Sequence, residues 1–216
     1  MTFEATAEGA KKRDYWWTVL ATDPIALPAA RVLARRRWLT PDQVTALALV
    51  AGLAAGVCFA TATREGLIAG GLVFYLAFIL DCVDGKLARA LSVTSPRGEA
   101  LDHLADGGRR ASAGLGLIVY LWRTEQGVLW GAVYAVLAYF FLEISGAERG
   151  PASGGAAGRL SRALARRRLL PTPGMPDVQA IVFILGPLSG YVVAGLGIGI
   201  AMVSAAILLT VYRRLR

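Results

Sequence analysis

Apolar residues gather in six blocks, at roughly Val44–Thr61, Leu67–Leu80, Leu101–Trp122, Val128–Ile144, Val178–Val193 and Leu196–Tyr212. A helix that crosses a bilayer needs roughly 17–25 mostly apolar residues, so the pattern predicts six spans. The second block is short by that measure, and its helix is expected to continue through the polar stretch after Leu80. In the fifth, Gly186-Pro187 predicts a kink that does not end the helix. The boundary between the fifth and sixth is expected at Gly195 and its neighbours. Ahead of the first block, Lys11, Lys12, Arg13, Trp16 and Trp17 open a basic, aromatic segment that reaches Trp38. There Ile25, Leu27, Val32 and Leu33 alternate with Arg31, Arg35, Arg36 and Arg37. This pattern predicts an amphipathic helix on the membrane surface with its Trp residues at the headgroups.

The expected fold is thus an all-α integral membrane protein with six transmembrane helices and an N-terminal amphipathic surface helix. Residues 1–40 form a cytoplasmic arm, and residues 41–216 form the transmembrane domain. The stretch Gly150–Pro176 is rich in Gly, Ala, Arg and Pro. It reads as a linker or, through Leu160, Leu164 and Leu169 among the arginines, as a short surface helix.

Charge sets the orientation. With six spans, both termini share a side with the loops after the second and fourth spans. That side collects 21 of the 23 basic residues, leaving Arg64 and Arg123 opposite. A five-span arrangement would scatter them, so the positive-inside tendency places both termini in the cytoplasm. Composition agrees: 56% of residues are hydrophobic and 18% charged, against about 45–50% and about 25% in soluble domains. The net charge of +8 would suit nucleic acid, but its placement beside apolar blocks favours anionic lipid and phosphate-bearing ligands, with no nucleic-acid partner. Residues 1–10 contain Glu4 and Glu8 and no apolar core, so no cleavable signal peptide is expected. Cys58 and Cys82 lie inside apolar blocks and read as packed thiols.

Aspartates break the pattern. Asp81, Asp84, Asp102 and Asp106 border the cytoplasmic ends of the second and third spans. A carboxylate at membrane depth is costly and normally faces a bundle interior or a watery cavity. On helices, Asp81 and Asp84 share a face at i,i+3, and Asp102 and Asp106 share one at i,i+4. Four carboxylates converging at one depth need compensation. Two divalent cations would supply it, and carboxylate oxygen without His or Cys favours Mg²⁺ or Mn²⁺ over zinc. Two such ions suit a displacement at phosphorus. The competing reading is interhelical pairing of the carboxylates with Arg89 and Arg109.

From Asp81 the chain reads D-C-V-D-G-K-L-A-R-A-L-S-V-T-S-P-R-G-E-A-L-D-H-L-A-D. This matches, without gap or substitution, the signature D-x2-D-G-x2-A-R-x8-G-x3-D-x3-D, and on it the chain resembles the CDP-alcohol phosphotransferase (CDP-alcohol phosphatidyltransferase) family. The resemblance implies transfer of a phosphate-linked group from a CDP-alcohol to a second alcohol, with release of CMP and dependence on two divalent ions. By it Asp81, Asp84, Asp102 and Asp106 match the metal-binding aspartates, and Asp106 matches the general base. Gly85, Ala88 and Gly98 match positions where cytidine approaches the backbone, and Arg89 matches a donor to the diphosphate. Thr45 closes Pro41-Asp42-Gln43-Val44-Thr45, which resembles a P-N-x-x-T element that contacts the nucleotide. Asp42 departs from the Asn of that element, and Gly107 stands where many members carry a basic residue. The residue types agree on their own chemistry. Glycine lets a flat base approach the backbone, and a guanidinium fork suits phosphate oxygens.

The resemblance further implies phospholipid biosynthesis at the plasma membrane with the active site facing the cytoplasm. CDP-diacylglycerol is the expected donor, with a small polar alcohol such as glycerol phosphate, inositol phosphate or serine as acceptor, and a homodimer is a candidate assembly. The reverse polarity, a CDP-linked headgroup donated to diacylglycerol, is the alternative. A cation transporter using the aspartates is the remote one, disfavoured because the second half of the chain has no counterpart motif. Glu143 and Arg149, late in and just after the fourth span, are the candidate acceptor-binding residues. His103 lies about 100° round the helix from Asp102 and is expected to point away from the metals.

Overall fold

The structure is a computed structural model that describes residues 10–146, 164 and 166–215. Among these the fold is helical, with isolated bridge residues at Lys11 and at Asp14, the latter paired with Leu169. The N-terminal segment is not a single surface helix. Residues 10–15 are non-helical, and Asp14 exchanges backbone hydrogen bonds with Arg168 O (2.8 Å) and Leu170 N (3.0 Å). Helix then begins at Trp16, passes through a π-turn at Thr18–Thr22 and continues as α1, Asp23–Arg36. It ends where Arg37 adopts a left-handed conformation with φ 51°. Ile25 and Val32 are exposed, while Ala26 and Ala30 are buried against Val44, Val83 and Leu87. The expected amphipathic face therefore exists, and small residues let α1 dock closely on the bundle.

Six helices follow. α2, Pro41–Ala60, starts with a capping box in which Thr40 and Gln43 satisfy each other's backbone N–H groups. α3, Arg64–Leu91, is capped by Thr63 and runs straight through the polar stretch after Leu80, as its pattern predicts. α4, Pro96–Arg123, begins five residues before the apolar block does, because Ser95 accepts from Gly98 N at 3.0 Å and Pro96 opens the first turn. At 28 residues each, α3 and α4 are about 42 Å long, against about 30 Å for the hydrocarbon layer. Their extra turns carry the aspartates.

α5 is Leu129–Gly146, α6 is Met175–Ser189 and α7 is Val192–Arg214. α6 contains a π-turn at Ile181–Leu185 and continues through Pro187, so the proline perturbs the helix without ending it. The break between α6 and α7 is at Gly190, where φ is +85°, and not at Gly195. Gly195 sits inside α7, and a Cβ there would lie 3.2 Å from Gly186 Cα. Its role is a close helix crossing rather than a turn. Arg149 and Leu160 lie outside the described residues.

α2 packs closely on both α3 and α4, which touch each other little. A Cβ on Gly116 of α4 would overlap the backbone of Gly56 on α2, so these two helices cross at backbone distance. Phe59, Phe74, Leu117, Leu121 and Phe183 fill the core between the helices. The periphery is apolar too: Leu47, Val50, Leu53 and Val57 on α2, and Val133, Val136, Tyr139 and Phe140 on α5, are exposed. Among the described residues three helices, α2, α3 and α7, are long and apolar enough to cross a membrane. At the end of the bundle away from the aspartates, Arg64 donates to Pro187 O and Leu188 O, at 3.0 and 2.7 Å, and Arg123 donates to Ala60 O at 3.2 Å. Each satisfies carbonyls at a helix C-terminus.

Candidate active site

Helical geometry places Asp81, Asp84, Gly85 and Ala88 along one face of α3, and Gly98, Asp102 and Asp106 along one face of α4. The first turns of α2 lie beside them because α2 packs on both helices. Together these ends enclose a cavity of about 190 Å³ lined by Pro41, Asp42, Thr45, Asp84, Gly85, Ala88, Arg89, Gly98 and Asp102, with Val93, Thr94, Ser95 and Glu99 from the α3–α4 turn and the start of α4. Thr45, Asp84, Gly85, Ala88, Arg89, Gly98 and Asp102 are thus gathered on one wall from three separate helices. Asp81 and Asp106 are not on that wall. His103 and Glu143 are exposed and absent from it, and Arg149 lies outside the described residues.

The carboxylates divide into two pairs. Asp84 and Asp102 face the cavity. Asp84 is buried, and its Oδ2 accepts from Thr45 Oγ1 at 2.6 Å; the same hydroxyl lies 3.0 Å from Pro41 O. One hydroxyl proton serves one acceptor well, and the shorter contact to the carboxylate takes it. Thr45 therefore fixes the rotamer of Asp84. Asp81 and Asp106 turn instead to Arg109, whose Nη2 lies 3.4 Å from Asp81 Oδ1 and pairs directly with Asp106 Oδ1. Arg110 pairs with the other Asp106 oxygen. Of the two arginines expected to compete for the carboxylates, Arg109 does so, and Arg89 lines the cavity.

Gln179, Lys86, Asp23, Arg168 and Asp177 meet partners that sequence spacing does not announce. Gln179 on α6 accepts from Arg109 Nη1 at 3.4 Å. Lys86, at an unspecified position of the motif, pairs with buried Asp23 at 2.9 Å, and Arg168 reaches the other oxygen of Asp23 at 3.0 Å. A lysine between Val83 and Leu87, two core positions, is the only hint of that pair. Asp177 accepts from Trp17 N at 2.6 Å and from Gly174 N at 2.8 Å. These contacts clasp the N-terminal segment to α3 and to the start of α6.

The residues fit a divalent metal by donor chemistry: four carboxylates with no thiol or imidazole among them, on adjoining helix ends, two already facing the cavity. No group of three or more such ligands is drawn together among the described residues, where Asp81 and Asp106 are paired with Arg109. The two glycines of the wall leave room beside these carboxylates. A Cβ on Gly85 would lie 3.3 Å from Arg89 Nη1, and one on Gly98 would lie 3.6 Å from Asp42 Oδ1; glycine keeps that space open.

The fold is similar to that of the phosphatidylinositol phosphate synthase of Mycobacterium tuberculosis, determined with CDP-DAG bound, with a TM-score of 0.61 and 22% identity over 88% of this chain and 92% of that one. No curated protein matches the sequence. Residues 38–212 match the family described as CDP-alcohol phosphatidyltransferase, a span that takes in α2 to α7 and the whole cavity wall, and the chain belongs to that family.

Proposed function

We propose that this protein is an integral-membrane phosphotransferase of phospholipid biosynthesis that moves a phosphatidyl group from CDP-diacylglycerol to the hydroxyl of a small polar alcohol and releases CMP. The observation that carries the reading is the cavity itself. It brings the motif residues of α3 and α4 together with Thr45 of α2 at one end of a bundle whose outer surface is apolar. The neighbouring structure was determined with CDP-DAG bound, which supports the lipid as donor. In this reading α2 to α7 are the six spans of a plasma-membrane protein, and the excess of basic residues at the cavity end supports a cytoplasmic side for that end and both termini.

In the reaction the acceptor oxygen attacks the phosphorus that bears diacylglycerol. A new P–O bond forms, the bond from that phosphorus to the oxygen bridging to CMP breaks, and CMP leaves with the bridging oxygen. The acceptor proton passes to a carboxylate, and Asp106 is assigned that role. Gly85, Ala88 and Gly98 leave room for cytidine, and Arg89 presents two donors to the diphosphate. Asp81, Asp84, Asp102 and Asp106 would hold two Mg²⁺ or Mn²⁺ ions, which neutralise diphosphate and leaving group when bound.

The test is CMP release by purified protein from CDP-diacylglycerol with a panel of alcohols, run beside CDP-linked headgroups offered with diacylglycerol. Release in the first set alone is expected; release in the second alone reverses the polarity, and release in neither sinks the reading. Arg89→Lys keeps the charge but replaces a fork with a point charge. It is expected to weaken CDP-alcohol affinity about tenfold, the equivalent of roughly one charge-assisted hydrogen bond. Equal affinity, measured by equilibrium binding, would place Arg89 outside the diphosphate contacts.

A further inference from the structure

Arg109 is 2% exposed and sits where four helices meet. Its guanidinium carbon lies 5.3 Å from the Phe74 ring centre and 5.2 Å from that of Phe78. A Cβ on Gly52 would come within 2.5 Å of Arg109 Cγ, so the glycine on α2 is what admits the side chain. Asp106 and Gln179 accept from its terminal nitrogens and Asp81 Oδ1 lies 3.4 Å from Nη2, while Nε is buried without a partner. The guanidinium is held at its outer end and by ring faces, on the same two carboxylates that the metal reading needs.

We propose that Arg109 is a tethered counter-cation: it neutralises Asp81 and Asp106 in the metal-free protein and yields them when divalent ions bind. This inference rests on the metal assignment above. Carboxylates removed from water need a partner at all times, and an unpaired one is strongly destabilising. Arginine suits the task where lysine would not, because it stays charged, bridges two carboxylates and stacks on aromatic rings. A cation arriving at Asp81 and Asp106 meets a like charge already in place. Arg109 therefore lowers metal affinity and keeps the metal-free protein from carrying two unpaired buried carboxylates. An ordinary structural pair would leave metal affinity unchanged, and a residue that only orients ligands would raise it.

The experiment compares wild type with Arg109→Gln, Arg109→Lys and Asp84→Asn in detergent. Mn²⁺ binding is followed by calorimetry, and melting is followed in EDTA and in excess Mn²⁺. Arg109→Gln is expected to bind Mn²⁺ about tenfold more tightly or better, through loss of a like charge in direct contact with the ligands. It is expected to melt below wild type in EDTA and to recover with Mn²⁺, since a ligand of the folded state stabilises it. Arg109→Lys should fall between the two. Unchanged or weaker Mn²⁺ affinity in Arg109→Gln overturns the inference, and if that variant does not fold, Arg109→Lys decides by the same criterion. Wild type that binds Mn²⁺ and loses it in Asp84→Asn keeps the metal reading whatever Arg109 does; wild type that binds none overturns both.

Discussion

Asp84→Asn is expected to leave the protein folded and to reduce CMP release below detection. Asparagine has the volume of aspartate, and its amide oxygen can accept the same hydrogen bond from Thr45 Oγ1 that Asp84 accepts at 2.6 Å, so α2 and α3 stay joined. What disappears is a full negative charge on the cavity wall, where the diphosphate and its counter-ions would meet. Asp81→Asn should abolish turnover as well, though it also weakens the contact to Arg109 and so adds a stability effect that Asp84→Asn lacks. Circular dichroism and melting beside the CMP assay separate the two. An Asp84→Asn protein with near-native turnover would remove Asp84 from the metal set.

Asp106→Asn should keep CDP-alcohol binding and lower the catalytic rate by about 10²–10⁴-fold, the range for loss of a general acid–base group. In the structure both oxygens of Asp106 are engaged, one by Arg109 and one by Arg110. Before it can take a proton from an acceptor hydroxyl, Asp106 must be released from one guanidinium. Asparagine keeps one acceptor oxygen, but its NH2 would face the other guanidinium, donor against donor. Binding and rate therefore have to be measured together. If excess Mg²⁺ restores most of the rate, Asp106 acts mainly as a ligand; a rate that metal does not restore, with CDP-alcohol affinity intact, supports the base.

The candidate site was readable in the sequence to the extent that it depends on helical spacing. Asp81, Asp84, Gly85, Ala88 and Arg89 are separated by intervals that put them near one helix face, and Gly98 and Asp102 by another. The cavity gathers all of these except Asp81. Helix starts that rest on a local cap, Thr40 with Gln43 and Ser95 with Gly98, were encoded within four residues of each start. The break between α6 and α7 was not readable. Gly190 and Gly195 lie in the same apolar, glycine-containing stretch, and only the backbone shows that the first takes a left-handed turn while the second lets α7 approach Gly186.

By itself, then, the sequence determined most of the helices, the apolar surface and the motif faces, because each follows from the order of neighbouring residues along one helix. Tertiary structure alone decided which charges meet. Asp23 finds both Lys86 and Arg168, Asp177 finds the backbone N–H of Trp17, and Arg109 finds Asp81 and Gln179, all across different segments of the chain. Coulombic partners at membrane depth are set by which helix ends adjoin, and that depends on close crossings such as Gly56 on Gly116 and on the space Gly52 leaves for Arg109. Burial then makes each pairing consequential, since a charge without its partner there has no water to replace it.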